Sequence, residues 1–212
     1  MPSASRLDAV TVDGFGTLLE LDDPTERLRR ALHSFGVSRD RDTVRAAFRA
    51  EATYYRPRSL TGHDANSLRA LRTDCVRVFL EHLQADIDPS SFVEPFVGSI
   101  AFRVIPGAVE ALEALSGAGL ALACVSNWDV GLHQHLDSLH LSHRFDVVIP
   151  SASVGAEKPD PRIFAVALER LGVAAPRALH VGDDDIDRIG ASAAGLAFAP
   201  APLATLPSRL AL

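Results

Sequence analysis

The chain has 212 residues, 47% of them hydrophobic, and a formal net charge of −6. That apolar content supports a packed core and excludes global disorder, and the length allows one large domain or a medium domain carrying an insert. No run of Lys and Arg is concentrated enough to neutralise a nucleic-acid backbone, and no apolar run reaches membrane-spanning length, so neither nucleic acid nor a membrane is an expected partner.

Met1-Pro2-Ser3-Ala4-Ser5-Arg6 is followed by no apolar signal core, and the cysteines, Cys75 and Cys124, stand far apart. A reduced, cytoplasmic setting is the expectation. Leu7 to Val12 reads as a buried strand ending at Asp13, with a loop containing Gly14 and Gly16 behind it. Helical spacing follows from Pro24 to about Gly36 (Asp23 as N-cap), from Arg41 to about Tyr55, from Asp64 to Leu83, and from Pro89 to Val97. The third of these turns Leu68, Leu71, Cys75, Val78 and Phe79 inward. Residues 22–103 thus read as an all-helical block.

From Pro106 strands and helices alternate. Helices are expected over Gly107–Leu115, Trp128–Leu139, Arg162–Leu171 (Asp160 as N-cap) and Asp187–Ala194, and strands over Leu120–Val125, Val147–Ile149, Ala178–Val181 and Leu196–Ala199. The Ala/Pro/Leu-rich tail from Pro200 is expected to fray. Alternation of this kind means an α/β fold with a doubly wound, Rossmann-like parallel sheet, here with an inserted all-helical cap. The expected division is 1–21 with 104–212 as core and 22–103 as cap.

Polar residues follow several strands: Asp13, then Ser126-Asn127, then Lys158 in Glu157-Lys158-Pro159-Asp160-Pro161, then Gly182-Asp183-Asp184 with Asp187 beyond. Each has an ordinary reading. Ser126 or Asn127 can cap a helix, a loop Lys is usually solvated, and acids before a helix suit its dipole. Together they have another, because the carboxyl ends of parallel strands share one edge and ligands bind there. A carboxylate can act as a nucleophile toward an acyl or phosphoryl centre. Clustered carboxylates imply a divalent cation such as Mg²⁺, while Lys158, Ser126 and nearby backbone N–H groups can hold an anion.

These motifs resemble the haloacid dehalogenase-like (HAD) hydrolase superfamily, in the subgroup with a helical cap after the first strand. Asp13-Gly14-Phe15-Gly16-Thr17-Leu18 matches its first motif, Ser126-Asn127 the second, Glu157 to Pro161 the third, and Gly182-Asp183 with Asp187 the fourth. The resemblance implies Asp13 as nucleophile, and Mg²⁺ held by Asp13, the Phe15 carbonyl and Asp183. It also implies Ser126 and Lys158 on the phosphoryl group, Gly14, Phe15 and Asn127 among the substrate contacts, and Asp187, with Asp184, supporting the metal site.

One position departs from the family's phosphatases. They carry an acid/base Asp two residues after the nucleophile, where this chain has Phe15. Three readings stay open. The first is a Mg²⁺-dependent phosphatase of a small phosphorylated metabolite, slow or restricted to acidic leaving groups, with a cap residue such as His63 as the replacement acid. The second is a dehalogenase-like hydrolase acting on a small halogenated acid through an aspartyl ester, with Arg56 or Arg58 on its carboxylate. The third is a non-catalytic phosphate-binding module. The cap contains no lysine, which argues against a Schiff base there. His133, His135, His140 and His143 lack the spacing of a zinc site. No motif bears on oligomeric state.

Overall fold

A computed structural model describes residues 7–212. Met1 to Arg6, on which the absence of a signal core was read, lie outside the described residues. Strand β1 (Ala9–Val12) is wholly buried, as its apolar and β-branched residues require. It lies at the centre of a five-stranded parallel sheet with β4 (Ala121–Ser126), β5 (Val147–Pro150), β6 (Ala178–Gly182) and β7 (Ala197–Pro200), in the order β5-β4-β1-β6-β7. Val12 stands level with Cys124 on one side and Val181 on the other, so three neighbouring strands end together. The connecting helices include α5 (Ala108–Gly117), α6 (Leu132–Ser138), α7 (Ser151–Val154), α8 (Arg162–Leu171) and α9 (Asp185–Ala193). Ile163, Phe164, Ala167 and Leu168 of α8 and Ala191 of α9 form one apolar cluster with Ala9, Ala123, Val125 and Ile149 of the strands. Burial of this kind stabilises the layer by about 25 cal/mol per Å² of apolar surface.

The described chain divides into two compact units: residues up to Glu20 with Arg103–Leu212, and Leu21–Phe102. The second contains α1 (Thr25–Ser34), α2 (Arg41–Tyr55), α3 (Ala65–His82) and α4 (Pro89–Val97). Its helices start where side-chain caps are available. Asp40 accepts the Thr43 N–H at 2.9 Å, and Asp64 accepts those of Asn66 and Ser67 at 2.9 and 2.8 Å. Leu28, Leu32, Val44, Ala47, Val76, Phe79, Phe92 and Phe96 form its core.

Several expectations need correction. Residues 22–103 are not all helical: β2 (Leu19–Asp22) and β3 (Ala101–Val104) overlap their two ends and pair with each other where the chain leaves and returns. Helix α8 has the expected range, but the N-cap positions of α1 and α8 fall on Pro24 and Pro161, one residue later than the expected Asp23 and Asp160, which instead accept the N–H of Thr25 at 3.0 Å and of Arg162 at 2.9 Å. Val76, not Val78, is fully buried on α3. Trp128 does not open a helix, because the Asp129 carboxylate accepts the Gly131 N–H at 2.6 Å in a turn and α6 starts only at Leu132. The tail does not fray: Leu203, Leu206 and Leu210 are buried, and a final short helix, α10 (Leu206–Arg209), packs on α5.

Candidate active site

Asp13 is the first residue past β1, and its N–H still donates to the Val181 carbonyl at 2.9 Å. Its buried carboxylate is therefore fixed at the edge where β1, β4 and β6 end together. Ser126, the last residue of β4, donates from Oγ to Asp13 Oδ1 at 3.2 Å. Lys158, from the loop before α8, is buried and places Nζ on Asp13 Oδ1 and on Asp187 Oδ1, the latter at 2.5 Å. Asp183 follows β6. Asp13, Asp183 and Asp187 each offer an oxygen within 4.8 Å of the others.

Glycine permits this crowding. A Cβ on Gly14 would sit 2.7 Å from Ser126 Oγ. One on Gly16, whose φ is +89°, would sit 2.2 Å from Asp183 Oδ2. The Asn127 side chain is turned to the Lys158 backbone. Its Nδ2 donates to the Lys158 carbonyl at 3.0 Å and its Oδ1 accepts the Lys158 N–H at 2.7 Å. Both ends of the amide hold the lysine's backbone, so Asn127 positions Lys158. Phe15 is exposed, its ring edge-to-face with buried Trp128 at 6.5 Å between centroids.

The electrostatics follow from burial and pairing. Burial pushes the Asp13 carboxyl above its ordinary value, opposed by Lys158 and assisted by the negative charge of Asp187. Burial works to lower the Lys158 ammonium, but Asp13 and Asp187 outweigh it and hold the lysine charged. At Asp187 burial would raise the carboxyl, yet the His180 hydrogen bond and the Lys158 charge bring it down to about 2. Partial desolvation, then the Asp187 charge, raise Asp183.

His180 is the participant that the reading of motifs missed. It is fully buried in β6, with Nδ1 2.8 Å from Thr11 Oγ1 and Nε2 3.0 Å from Asp187 Oδ1. A polar ring within the apolar run Leu179-His180-Val181 was the available signal. Burial lowers its pKa, favouring the neutral ring. The other nominated residues have local surroundings. Asp184 precedes α9 and gives its N–H to Asp187 Oδ2 at 3.2 Å. His63, exposed in the helical unit, lies 3.0 Å from the Thr61 carbonyl and 3.6 Å from Asp64. Arg58 stacks 4.0 Å over Tyr54, in a short 3-10 turn that Arg56 opens. His133 and His135 lie on α6, with His140 and His143 beyond it.

The donor set suits a small, hard cation that takes oxygen ligands. Asp187 already accepts from Lys158, His180 and the Asp184 N–H, which leaves Asp13 and Asp183 as the carboxylates best able to face an ion.

A family model described as a haloacid dehalogenase-like hydrolase matches residues 7–195. Haloacid dehalogenase-like hydrolase domain-containing protein 3 of Mus musculus is 42% identical over 104 residues, 49% of this chain and 41% of that protein. The match thus spans about two fifths of that relative's length. A phosphoglycolate phosphatase of Aquifex aeolicus is 33% identical over 143 residues, 63% of this chain and 62% of that one. Among solved structures, a HAD phosphatase from Thermococcus onnurineus superposes with a TM-score of 0.65 at 27% identity, covering 96% of this chain and 98% of that one.

Proposed function

The chain belongs to the haloacid dehalogenase-like hydrolases, and from that membership we propose that it is a Mg²⁺-dependent phosphatase of a small phosphorylated metabolite, acting through an aspartyl-phosphate on Asp13. The observation that carries the reading is the meeting of Ser126 Oγ and Lys158 Nζ on one oxygen of Asp13, with two further carboxylates within 4.8 Å. Hydroxyl and ammonium suit phosphoryl oxygens, and the carboxylate cluster suits the cation that accompanies them. The Aquifex relative, named a phosphoglycolate phosphatase, supports a small phosphorylated substrate.

In this reading an Asp13 oxygen bonds to phosphorus as the bond to the leaving oxygen breaks. Ser126 and Lys158 hold the equatorial oxygens, and the Gly14 backbone leaves room for the phosphoryl group. Asp13, the Phe15 carbonyl and Asp183 are the ligands assigned to Mg²⁺. When bound, Mg²⁺ supplies Lewis-acid stabilisation of the phosphoryl charge and offsets repulsion between dianion and carboxylates. Asp187, held by His180, keeps Lys158 in place, and Asn127 fixes the lysine's backbone. Water then cleaves the aspartyl-phosphate and restores the carboxylate. Residues 22–103 serve as the cap that selects substrate, on a core of 1–21 and 104–212.

The test is phosphate release from an activated aryl phosphate by wild type and Asp13→Asn, with Mg²⁺ and with a chelator. Mg²⁺-dependent turnover in wild type alone is expected, with a phosphate adduct on the Asp13 peptide after an acid quench. Phe15, which carries no acid, favours one competitor. Metal-independent halide release from a 2-halo acid, with phosphate esters untouched, would replace the phosphatase by the aspartyl-ester hydrolase.

A further inference from the structure

Beside the phosphoryl site the chain presents carbon where a proton donor would be useful. Phe15 lies two residues past Asp13 and is 45% exposed, beside the buried Asp13, Ser126, Lys158 and Asp187. Its ring rests edge-to-face on Trp128. The Trp128 backbone is fixed, since Ser151 Oγ accepts its main-chain N–H at 3.1 Å and lies 3.2 Å from its carbonyl, to which it can donate, and the indole itself is buried. The same indole borders the catalytic loop. A Cβ on Gly14 would be 3.8 Å from Trp128 Cε3 as well as 2.7 Å from Ser126 Oγ. The exposed phenyl of Phe15, backed by the buried indole, thus makes an aromatic ledge next to Asp13 and Ser126.

The buried proton-bearing side chains around Asp13 are committed elsewhere. The Lys158 ammonium bridges Asp13 and Asp187, the His180 ring bridges Thr11 and Asp187, and the Ser126 hydroxyl donates to Asp13. Each serves the nucleophile or its support. General acid–base assistance is worth ~10²–10⁴-fold to a poor leaving group, and least to one already acidic.

Resting on the phosphatase reading, we infer that the preferred substrate is the phosphate ester of an acidic, planar hydroxyl, an aryl or enol phosphate, whose unsaturated group lies on the exposed ring of Phe15 that Trp128 backs. The Asp13 oxygen–phosphorus bond forms, the ester P–O bond breaks, and its electron pair goes to the leaving oxygen. That oxygen departs as a phenolate or enolate, its charge delocalised into the π system, and takes its proton from solvent. Water then bonds to phosphorus, the aspartyl P–O bond breaks with its pair returning to Asp13, and the water proton passes to solvent or phosphate. With no base at position 15 the second step is the slower one, so the phosphoenzyme accumulates.

The test measures kcat/KM for the full chain with Mg²⁺ on nitrophenyl, phenyl and methoxyphenyl phosphates and on alkyl phosphates, using wild type, Phe15→Asp and Phe15→Leu. The exposure of Phe15 makes both variants compatible with folding. Wild type should lose rate steeply as the leaving group becomes a weaker acid, with alkyl esters ~10²–10⁴-fold slower, and should release nitrophenolate in a burst. Phe15→Asp should flatten that dependence and raise alkyl turnover. Phe15→Leu should keep the steep dependence and raise KM for aryl esters. A shallow dependence in wild type, alkyl esters matching aryl ones, or an unchanged aryl KM in Phe15→Leu would overturn this inference and leave a Mg²⁺-dependent phosphatase standing. No phosphate from any ester in any variant would overturn the phosphatase reading itself.

Discussion

A methyl group at Gly16 would collide with the Asp183 carboxylate, and the residue's φ of +89° would strain any side chain there. Gly16→Ala should therefore cost about 1–3 kcal/mol of stability in a urea titration. It should also weaken Mg²⁺ binding by displacing Asp183, which distinguishes it from simple backbone strain. A variant that loses stability but binds Mg²⁺ as wild type does would show that Asp183 is not a ligand. The same scale shows what could be read beforehand. Asp13, Ser126, Lys158 and Asp183 were legible because strand ends in a parallel sheet share an edge, whatever lies between them in sequence. The work of Asn127 and His180 was not. Asn127 bonds to main-chain atoms 31 residues away, and His180 reaches Thr11 across 169, and neither pairing leaves a trace in the sequence between.

Helices α2 and α3 carry a charge problem between them. Glu51 on α2 is buried, and burial, partly opposed by a hydrogen bond with Cys75 on α3, raises its pKa from 4.5 to about 7. Between those values the folded chain keeps a proton that the unfolded chain has lost. Unfolding then releases that proton, so this group's contribution to stability is greatest below 4.5, falls as pH rises through the window, and levels off above about 7. The ionised form costs about 3 kcal/mol. Glu51→Gln should match wild type in urea at about pH 4 and exceed it by up to about 3 kcal/mol at about pH 8. Parallel pH profiles for the two proteins would refute it. Element boundaries were legible where the local signal was strong. Helices α2 and α4 begin beside capping Asp40 and Asp88, while β2 and β3 are only four residues each and take their character from pairing with each other across the helical unit. Tail burial likewise depends on α5, which precedes it by some ninety residues, and not on the tail's own composition.

A chain of net charge −6 that brings three carboxylates within 4.8 Å of one another carries a repulsion that Lys158 offsets in part and that a bound cation would relieve further, in the folded state alone. No helix among the described residues is long and apolar enough to cross a membrane. Mg²⁺ at a hundred times its Kd should add about 2.7 kcal/mol, which for a chain of this length raises Tm by roughly 5–10 °C. Asp183→Asn separates the two halves of that argument. In the metal-free protein it removes a carboxyl whose charged form is disfavoured by partial desolvation and by Asp187, so Tm should rise slightly. With Mg²⁺ present it removes a ligand, so the metal-dependent rise should vanish. Opposite signs with and without the ion identify a metal ligand, because a purely structural defect lowers Tm in both conditions. A variant whose Tm still climbs with Mg²⁺ as wild type does would place the ion elsewhere on this acidic chain.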